Sequence, residues 1–207
     1  IYRHWLAQSG QKPDVLAGHS LGEYSALVCA GVISLADAVI LVEKRGLYMQ
    51  EAVPAGTGSM AAVIGLADEA VIESCKQSEN GDVVSAVNFN SPGQVVIAGS
   101  KDAVERASVA CKEAGAKRVL PLAVSVPSHC ALMKPAAEKL AKDLDALTFN
   151  TPEVSVINNV DVKVETAEQA IKDALVRQLY CPVRWTETVQ MFAKDGITTT
   201  YEFGPGK

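Results

Sequence analysis

A serine between two glycines, in Gly18-His19-Ser20-Leu21-Gly22, is the segment of this sequence whose residue types most directly imply a reaction. The pattern Gly-x-Ser-x-Gly puts a hydroxyl on a sharp strand-to-helix turn, where small neighbours leave room for close backbone approach. Such a turn opens a helix, whose first backbone N–H groups have no intrahelical acceptor. The Leu21 N–H is therefore a candidate donor to the oxyanion of a tetrahedral intermediate. The plainer reading is a tight turn with no chemistry; the flanking strand and helix signals favour the nucleophile. A serine hydroxyl is a weak nucleophile without a base, so Ser20 needs a histidine. The chain has three. His19 adjoins the serine, and its ring is expected to point away from the hydroxyl and to pack or hydrogen-bond beneath the turn. His4 sits beside Trp5 in an early helical segment, as a surface or packing residue. His129 follows the strand-like run Val119 to Val126 and a break at Pro127. That places it at the carboxyl end of a strand, where open α/β sheets keep their sites. His129 is the expected general base, the alternative being a loop histidine without a role. Cys130 is a weaker rival to Ser20 as nucleophile, because it neighbours His129 in sequence and adjacent side chains point apart.

Arg45 is the second position with chemical content. It lies on the apolar stripe Leu35, Ala38, Val42, Met49 and Val53 of a long helical pattern, where a charge is costly unless paired. Its neighbours three and four residues away are Leu41, Val42, Tyr48 and Met49, so no local carboxylate meets it. Either an external acid pairs with it or it snorkels along the stripe edge to solvent.

The elements that must position these residues alternate between strand and helix, which predicts an α/β architecture. Val15 to Ala17 reads as a buried strand, Leu21 to Ala30 as a helix closed by Gly31. Ser34 and Asp37 form a capping signal for the long helix that stops at Pro54. From Gly56 the order becomes strand Ser59–Leu66, helix Asp68–Ser78, strands Val83–Phe89 and Val95–Ala98, helix Ala103–Ala114 and strand Val119–Val126. This βαββαβ order predicts a ferredoxin-like subdomain over 56–125, inserted into a catalytic core made of 1–55 and 126–207. The core resumes with a helix Ala131–Leu144, a strand Val154–Ile157, helices Ala167–Leu179 and Thr186–Lys194, and a strand Ile197–Phe203.

Bulk properties bound the function. A chain of 207 residues that is 48% hydrophobic and 21% charged has enough apolar residues to build a core. With 24 acids against 19 bases and no basic run, it has no electrostatic footprint for nucleic acid. No segment is apolar over the length a membrane span needs, and Ile1 to Trp5 lacks a signal-peptide layout. Cys29, Cys75, Cys111, Cys130 and Cys181 are odd in number and lack a Cys-x-x-Cys pair, which argues against disulfides and against a metal. A soluble, cytoplasmic protein with reduced thiols is expected.

Five segments in order carry a resemblance. They are Gly18-His19-Ser20-Leu21-Gly22-Glu23-Tyr24, Glu43-Lys44-Arg45-Gly46, Asn88-Phe89-Asn90-Ser91-Pro92-Gly93-Gln94, Val126-Pro127-Ser128-His129 and Phe203-Gly204-Pro205-Gly206. Together they resemble the motifs of malonyl-CoA:acyl carrier protein transacylases of bacterial fatty acid synthesis. The resemblance implies a hydrolase-like α/β core with a parallel sheet, an inserted ferredoxin-like subdomain and a site between them. It implies that Ser20 is acylated, that His129 is its base, and that Gln178 holds the histidine by accepting its other N–H. It also implies that Arg45 meets the malonyl carboxylate, that Asn90 lines the acyl pocket, and that Met49 is a further substrate-binding position. No cofactor is implied; malonyl-CoA and the phosphopantetheine thiol of acyl carrier protein are substrates. Lys117-Arg118 is a candidate patch for the acidic carrier, or else an ordinary solvated pair. Nothing here corresponds to the Gly-Gln-Gly-Ser-Gln loop with which members of the family begin, and the chain stops at Lys207, so it reads as a fragment. The alternatives are an α/β-hydrolase-type serine thioesterase or esterase, an acyltransferase module of a polyketide synthase, and a non-catalytic acyl-binding domain.

Overall fold

The computed structural model describes residues 1–124 and 126–204. The helix α1 (Tyr2–Ser9) precedes the strand β1 (Val15–Ala17), a turn at Ser20, and helices α2 (Leu21–Cys29) and α3 (Leu35–Ala52). The middle of the chain runs β2 (Gly58–Ile64), α4 (Asp68–Ser78), β3 (Val84–Ser91), β4 (Gln94–Ser100), α5 (Lys101–Glu113) and β5 (Arg118–Pro121). A loop carrying His129 then leads through a short 3-10 turn to α6 (Lys134–Asp145), β6 (Ser155–Ile157), α7 (Glu168–Gln178) and α8 (Trp185–Lys194). No helix among the described residues is long and apolar enough to cross a membrane.

Among the described residues the result is a mixed α/β architecture with two sheets. β1 and β6 pair in parallel, with Leu16 opposite Val156 and Ala17 opposite Ile157. Around them, α2, α3, α6 and α7 bury Tyr24, Leu27, Leu41, Met133, Leu140, Leu144, Leu175 and Leu179 in one apolar cluster. The Ser34 hydroxyl starts α3 by accepting the Asp37 N–H at 3.0 Å, as the capping signal required.

The second sheet is antiparallel, in the order β3-β4-β2-β5. Because side chains alternate across a strand, its two faces are filled by different sets of residues. Ala61 and Val63 of β2 and Val95 and Ile97 of β4 meet α4 and α5. Met60, Val96 and Ala98 face the other way and pack with Val87 and Cys130, next to the His129 loop. The segment after α7 ties this sheet to the rest: Phe89 N–H donates to the Val183 carbonyl at 3.0 Å and Val183 N–H to the Val87 carbonyl at 2.8 Å.

Four expectations change. β1 is half-buried rather than buried, because β6 is its one strand neighbour among the described residues. The buried face of α3 is Ala38, Leu41, Arg45 and Met49, spaced by three and four, and Leu35 in the first turn is 66% exposed. β5 ends at Pro121, which has no N–H for a ladder; the remainder of that expected strand includes Ser125, outside the described residues. His129 thus belongs to a loop leaving an antiparallel edge strand. The expected strand Ile197–Phe203 has no ladder partner among the described residues, and its aromatics instead pack on α1, with Tyr201 and Phe203 at 4.9 and 5.5 Å from Trp5. Pro205 and Gly206 of the last motif lie outside the described residues.

The two glycines beside Ser20 differ sharply. A Cβ on Gly18 would stand 2.0 Å from the backbone of Gly22, whereas one on Gly22 would meet nothing within 4 Å. Gly18 alone is sterically required. Gly18→Ala should therefore cost about 3 kcal/mol, the upper end of overpacking penalties. Gly22→Ala should be neutral or stabilising by up to about 1 kcal/mol, since it removes a helical glycine. Urea unfolding of the two variants measures the contrast; equal losses would mean that the turn relaxes around Gly18.

Candidate active site

Ser20 caps α2 with φ 53° and ψ −109°, a conformation that L-residues rarely occupy. Holding it costs on the order of 1–3 kcal/mol and requires surrounding structure to fix it. Asn159 does this: its Oδ1 accepts the Ser20 N–H at 2.7 Å and its Nδ2 donates to the Gly18 carbonyl at 2.8 Å. Asn159 follows β6, and the parallel register of β1 and β6 sets it beside the turn.

The sequence separation of 109 residues between Ser20 and His129 closes to 2.8 Å between Oγ and Nε2. His129 is 3% exposed, adopts φ 64°, and is anchored through its backbone N–H, which donates to the Leu179 carbonyl at 2.9 Å. Its Nδ1 lies 2.6 Å from the main-chain carbonyl of Gln178. A carbonyl can only accept, so Nδ1 carries the proton and Nε2 presents a lone pair. The Ser20 hydroxyl then donates to Nε2. The Gln178 group against the histidine is its backbone oxygen, while its side chain turns elsewhere.

That side chain is fully buried. Gln178 Nε2 donates to the Ser20 carbonyl at 3.0 Å and to Glu23 Oε2 at 2.8 Å. Its Oε1 accepts from Arg45 Nη2 at 3.2 Å, and the same Nη2 donates to Ser20 Oγ at 3.1 Å. Arg45 is 6% exposed, its Nε has no acceptor, and no carboxylate among the described residues forms a salt bridge with it. The Tyr24 ring stands 5.7 Å from the guanidinium.

Burial governs the electrostatics. Desolvation, then the Arg45 charge, pushes His129 down to about 3, against the Gln178 carbonyl that favours the protonated ring. The imidazole is neutral at neutral pH and ready to accept a proton. Desolvation pushes the Glu23 carboxyl up to about 7, although Gln178, the Asn159 N–H and Arg45 all pull it down.

Leu21 N–H opens α2 and has no acceptor among the described residues. Asn90, near the end of β3, reaches the turn from the other sheet: its Oδ1 lies 2.9 Å from His19 Nε2. His19 is therefore exposed above the turn rather than beneath it, with its ring 5.5 Å from that of Trp185. Met49 lies in the apolar cluster, one turn from Arg45. His4 is on the surface, and Cys130 is buried with its thiol raised to about 11 by desolvation, an unreactive state. Sequence reasoning missed Glu23 and Asn159. The signal for Glu23 was the one already applied to Arg45, a charge sharing a helix face with Ala26 and Leu27. That for Asn159 was a polar residue directly after a parallel strand. Together the groups form a hydroxyl with a neutral base, a guanidinium against its oxygen and a helix N–H beside it, an arrangement suited to nucleophilic acyl transfer.

Comparison with known proteins agrees with this chemistry. The model of the acyl transferase domain matches residues 1–205. Malonyl CoA-acyl carrier protein transacylase of Haemophilus influenzae is 68% identical over 208 residues, covering 100% of this chain and 67% of the relative. The Escherichia coli K12 protein of the same name is 67% identical over 207 residues, with the same coverage of 100% and 67%. Among solved structures, an acyl carrier protein S-malonyltransferase from Vibrio cholerae matches with a TM-score of 0.93 and 66% identity, over 95% of this chain and 64% of that one. A malonyl-transacylase in complex with a type II polyketide synthase acyl-carrier protein matches with a TM-score of 0.93 and 63% identity, over 95% and 63% of the two chains. The chain thus spans roughly two thirds of the length of these relatives.

The depressed His129 predicts a pH signature. Its folded value of about 3 lies below the ordinary 6.5, so the unfolded chain binds the extra proton between those values. Its contribution to stability is present above pH 6.5 and is lost as pH falls toward 3. Glu23, raised from 4.5 to about 7, acts with the opposite sign, costing stability as pH rises through that window. His129→Asn removes only the first effect. The stability gap between wild type and this variant should narrow steadily from pH 7 to pH 4.5 in urea titrations; a constant gap would mean that the ring titrates normally.

Proposed function

This chain belongs to the acyl transferase domain family, among the malonyl CoA-acyl carrier protein transacylases, and on that premise we propose that it moves a malonyl group from malonyl-CoA to the phosphopantetheine thiol of an acyl carrier protein through a malonyl-serine. The observation that carries the substrate assignment is Arg45, a buried guanidinium beside the nucleophile with donor capacity to spare and, among the described residues, no carboxylate bridged to it. A substrate carboxylate would complete it.

The steps follow from the residues. Ser20 attacks the thioester carbonyl while His129 Nε2 takes its proton, and the Gln178 carbonyl stabilises the imidazolium that forms. Leu21 N–H donates to the developing oxyanion. His129 returns the proton to the departing thiolate of coenzyme A; it then draws a proton from the carrier thiol as that attacks the acyl-serine, and gives this proton to Ser20 Oγ as the serine–acyl bond breaks, leaving the malonyl thioester on the carrier. A carboxylate on Arg45 would draw the guanidinium away from Ser20 Oγ and offset its charge, which after desolvation is the second cause that holds His129 low, so an acid substrate would strengthen the base it needs. Asn90 and Met49 complete the acyl pocket in this reading. Coenzyme A and phosphopantetheine are substrates, with no bound cofactor. A serine hydrolase would be expected to place a carboxylate behind the histidine, where here a main-chain carbonyl stands.

The chain divides in this reading into a hydrolase-like core, 1–55 and 126–207, and a ferredoxin-like insertion, 56–125. The sheet order β3-β4-β2-β5 with two helices on one face supports the second assignment. The exposed pair Lys117 and Arg118 is a candidate contact for the carrier. The setting proposed is cytoplasmic fatty acid synthesis.

Three substitutions test the proposal in the full-length protein. Ser20→Ala should abolish the malonyl adduct seen by mass spectrometry, and His129→Ala should slow acylation about 10² to 10⁴-fold. Arg45→Ala should cost on the order of 2 to 5 kcal/mol in kcat/KM for malonyl-CoA. Acetyl-CoA, lacking the carboxylate, should react as before or faster. Equal losses for both donors would assign Arg45 to the fold and remove the malonyl reading's main support.

A further inference from the structure

We infer that Glu23 is a positioning residue for this transfer: by accepting from the Gln178 amide nitrogen, it fixes which end of that amide meets Arg45, and so sets the guanidinium for an acid substrate. The inference rests on the malonyl reading above. Glu23 lies on α2, 2% exposed, and reaches neither the hydroxyl nor the histidine. It touches the supports of both substrate-side groups. Its Oε2 accepts from Gln178 Nε2 at 2.8 Å and from the Asn159 backbone N–H at 3.0 Å.

A side-chain amide has a donor end and an acceptor end, and either could face Arg45. Gln178 Nε2 meets two oxygens, those of Ser20 and Glu23, and a guanidinium has donors only. Reversing the amide would set oxygen against both of those oxygens and N–H against Arg45. Without Glu23, the one remaining acceptor for Nε2 is the Ser20 carbonyl, and the preference weakens. Asn159, the splint of the Ser20 turn, is held by the same Oε2. One buried carboxylate therefore braces the arginine through Gln178, while the Ser20 turn is held by the Asn159 side chain, whose bonds to the Ser20 N–H and the Gly18 carbonyl do not pass through Glu23. Burial of a carboxylate is costly unless its hydrogen bonds are made, which suits a role in specifying geometry rather than in adding stability.

The test uses the full-length protein and two variants, Glu23→Gln, which keeps an acceptor oxygen, and Glu23→Met, which keeps the shape without one. The readout is kcat/KM for malonyl-CoA and acetyl-CoA, with thermal unfolding as a check on folding. The malonyl-to-acetyl ratio should fall about threefold in Glu23→Gln and at least tenfold in Glu23→Met, while acetyl transfer stays within about threefold of wild type. In an Arg45→Ala background the Met substitution should leave the ratio unchanged. A wild-type ratio in Glu23→Met, or equal loss of both donors, overturns the proposal. If the Met variant does not fold, Glu23→Gln decides, and an unchanged ratio there overturns it. A wild type without preference for malonyl-CoA would sink the substrate reading instead; a crystal structure of Glu23→Met with Arg45 and the Gln178 amide unmoved would then overturn the positioning role on its own.

Discussion

The hydrogen bond of 2.6 Å from His129 Nδ1 to the Gln178 carbonyl decides which way every proton around Ser20 points. A carbonyl cannot donate, so the ring has one tautomer, and the Ser20 hydroxyl has one acceptor. Arg45 takes a remaining lone pair of that hydroxyl. Because the accepting group is backbone at the end of α7, its position is set by helix packing rather than by a rotamer. Leu175 and Leu179, on either side of Gln178, are fully buried in the main apolar cluster.

The polar groups of the site are held inside that cluster at a price in desolvation. Glu23, Arg45, His129 and Gln178 are all buried, and burial is the leading cause of the shifts of Glu23 and His129. What makes the arrangement tolerable is that the groups satisfy one another: Glu23 by Gln178 and Asn159, Gln178 by Ser20 and Arg45. The exception is Arg45 Nε. Unmet donor capacity on an otherwise closed network is where a ligand gains most, since the protein has already desolvated the group.

The two sheets have separate duties. The parallel pair β1 and β6 sets the Ser20 turn and Asn159 side by side, a consequence of its register. The antiparallel sheet packs its inner face on Cys130 and brings Asn90 to His19, so the loop carrying His129 is wedged between them. Val183 and Thr186 join the end of β3 to the chain just after α7, which couples the second sheet to the helix that orients the histidine.

Much of this was legible without coordinates, because it is local. The turn residues of Gly18 to Gly22, the capping pair Ser34 and Asp37, the βαββαβ order and the charge of Arg45 on an apolar face are properties of short windows, where period and residue type suffice. Windows of that size also misled. They extended a strand past Pro121 and built another over Ile197 to Phe203, since a strand is stabilised by its ladder partner and a window contains none. They gave both glycines of the turn one reason, though only Gly18 faces a backbone within 2.0 Å. Glu23 and Asn159 each carried a local signal, a charge beside Ala26 and Leu27 and a polar residue after a strand, but neither signal assigns a task until the partner 136 positions away is known. What the sequence by itself determined was a set of candidate groups and most of the elements that carry them. Which oxygen of Gln178 meets the histidine, and which carboxylate braces the amide, only the tertiary structure decided, because hydrogen-bond polarity depends on distances between chain segments that no local pattern encodes.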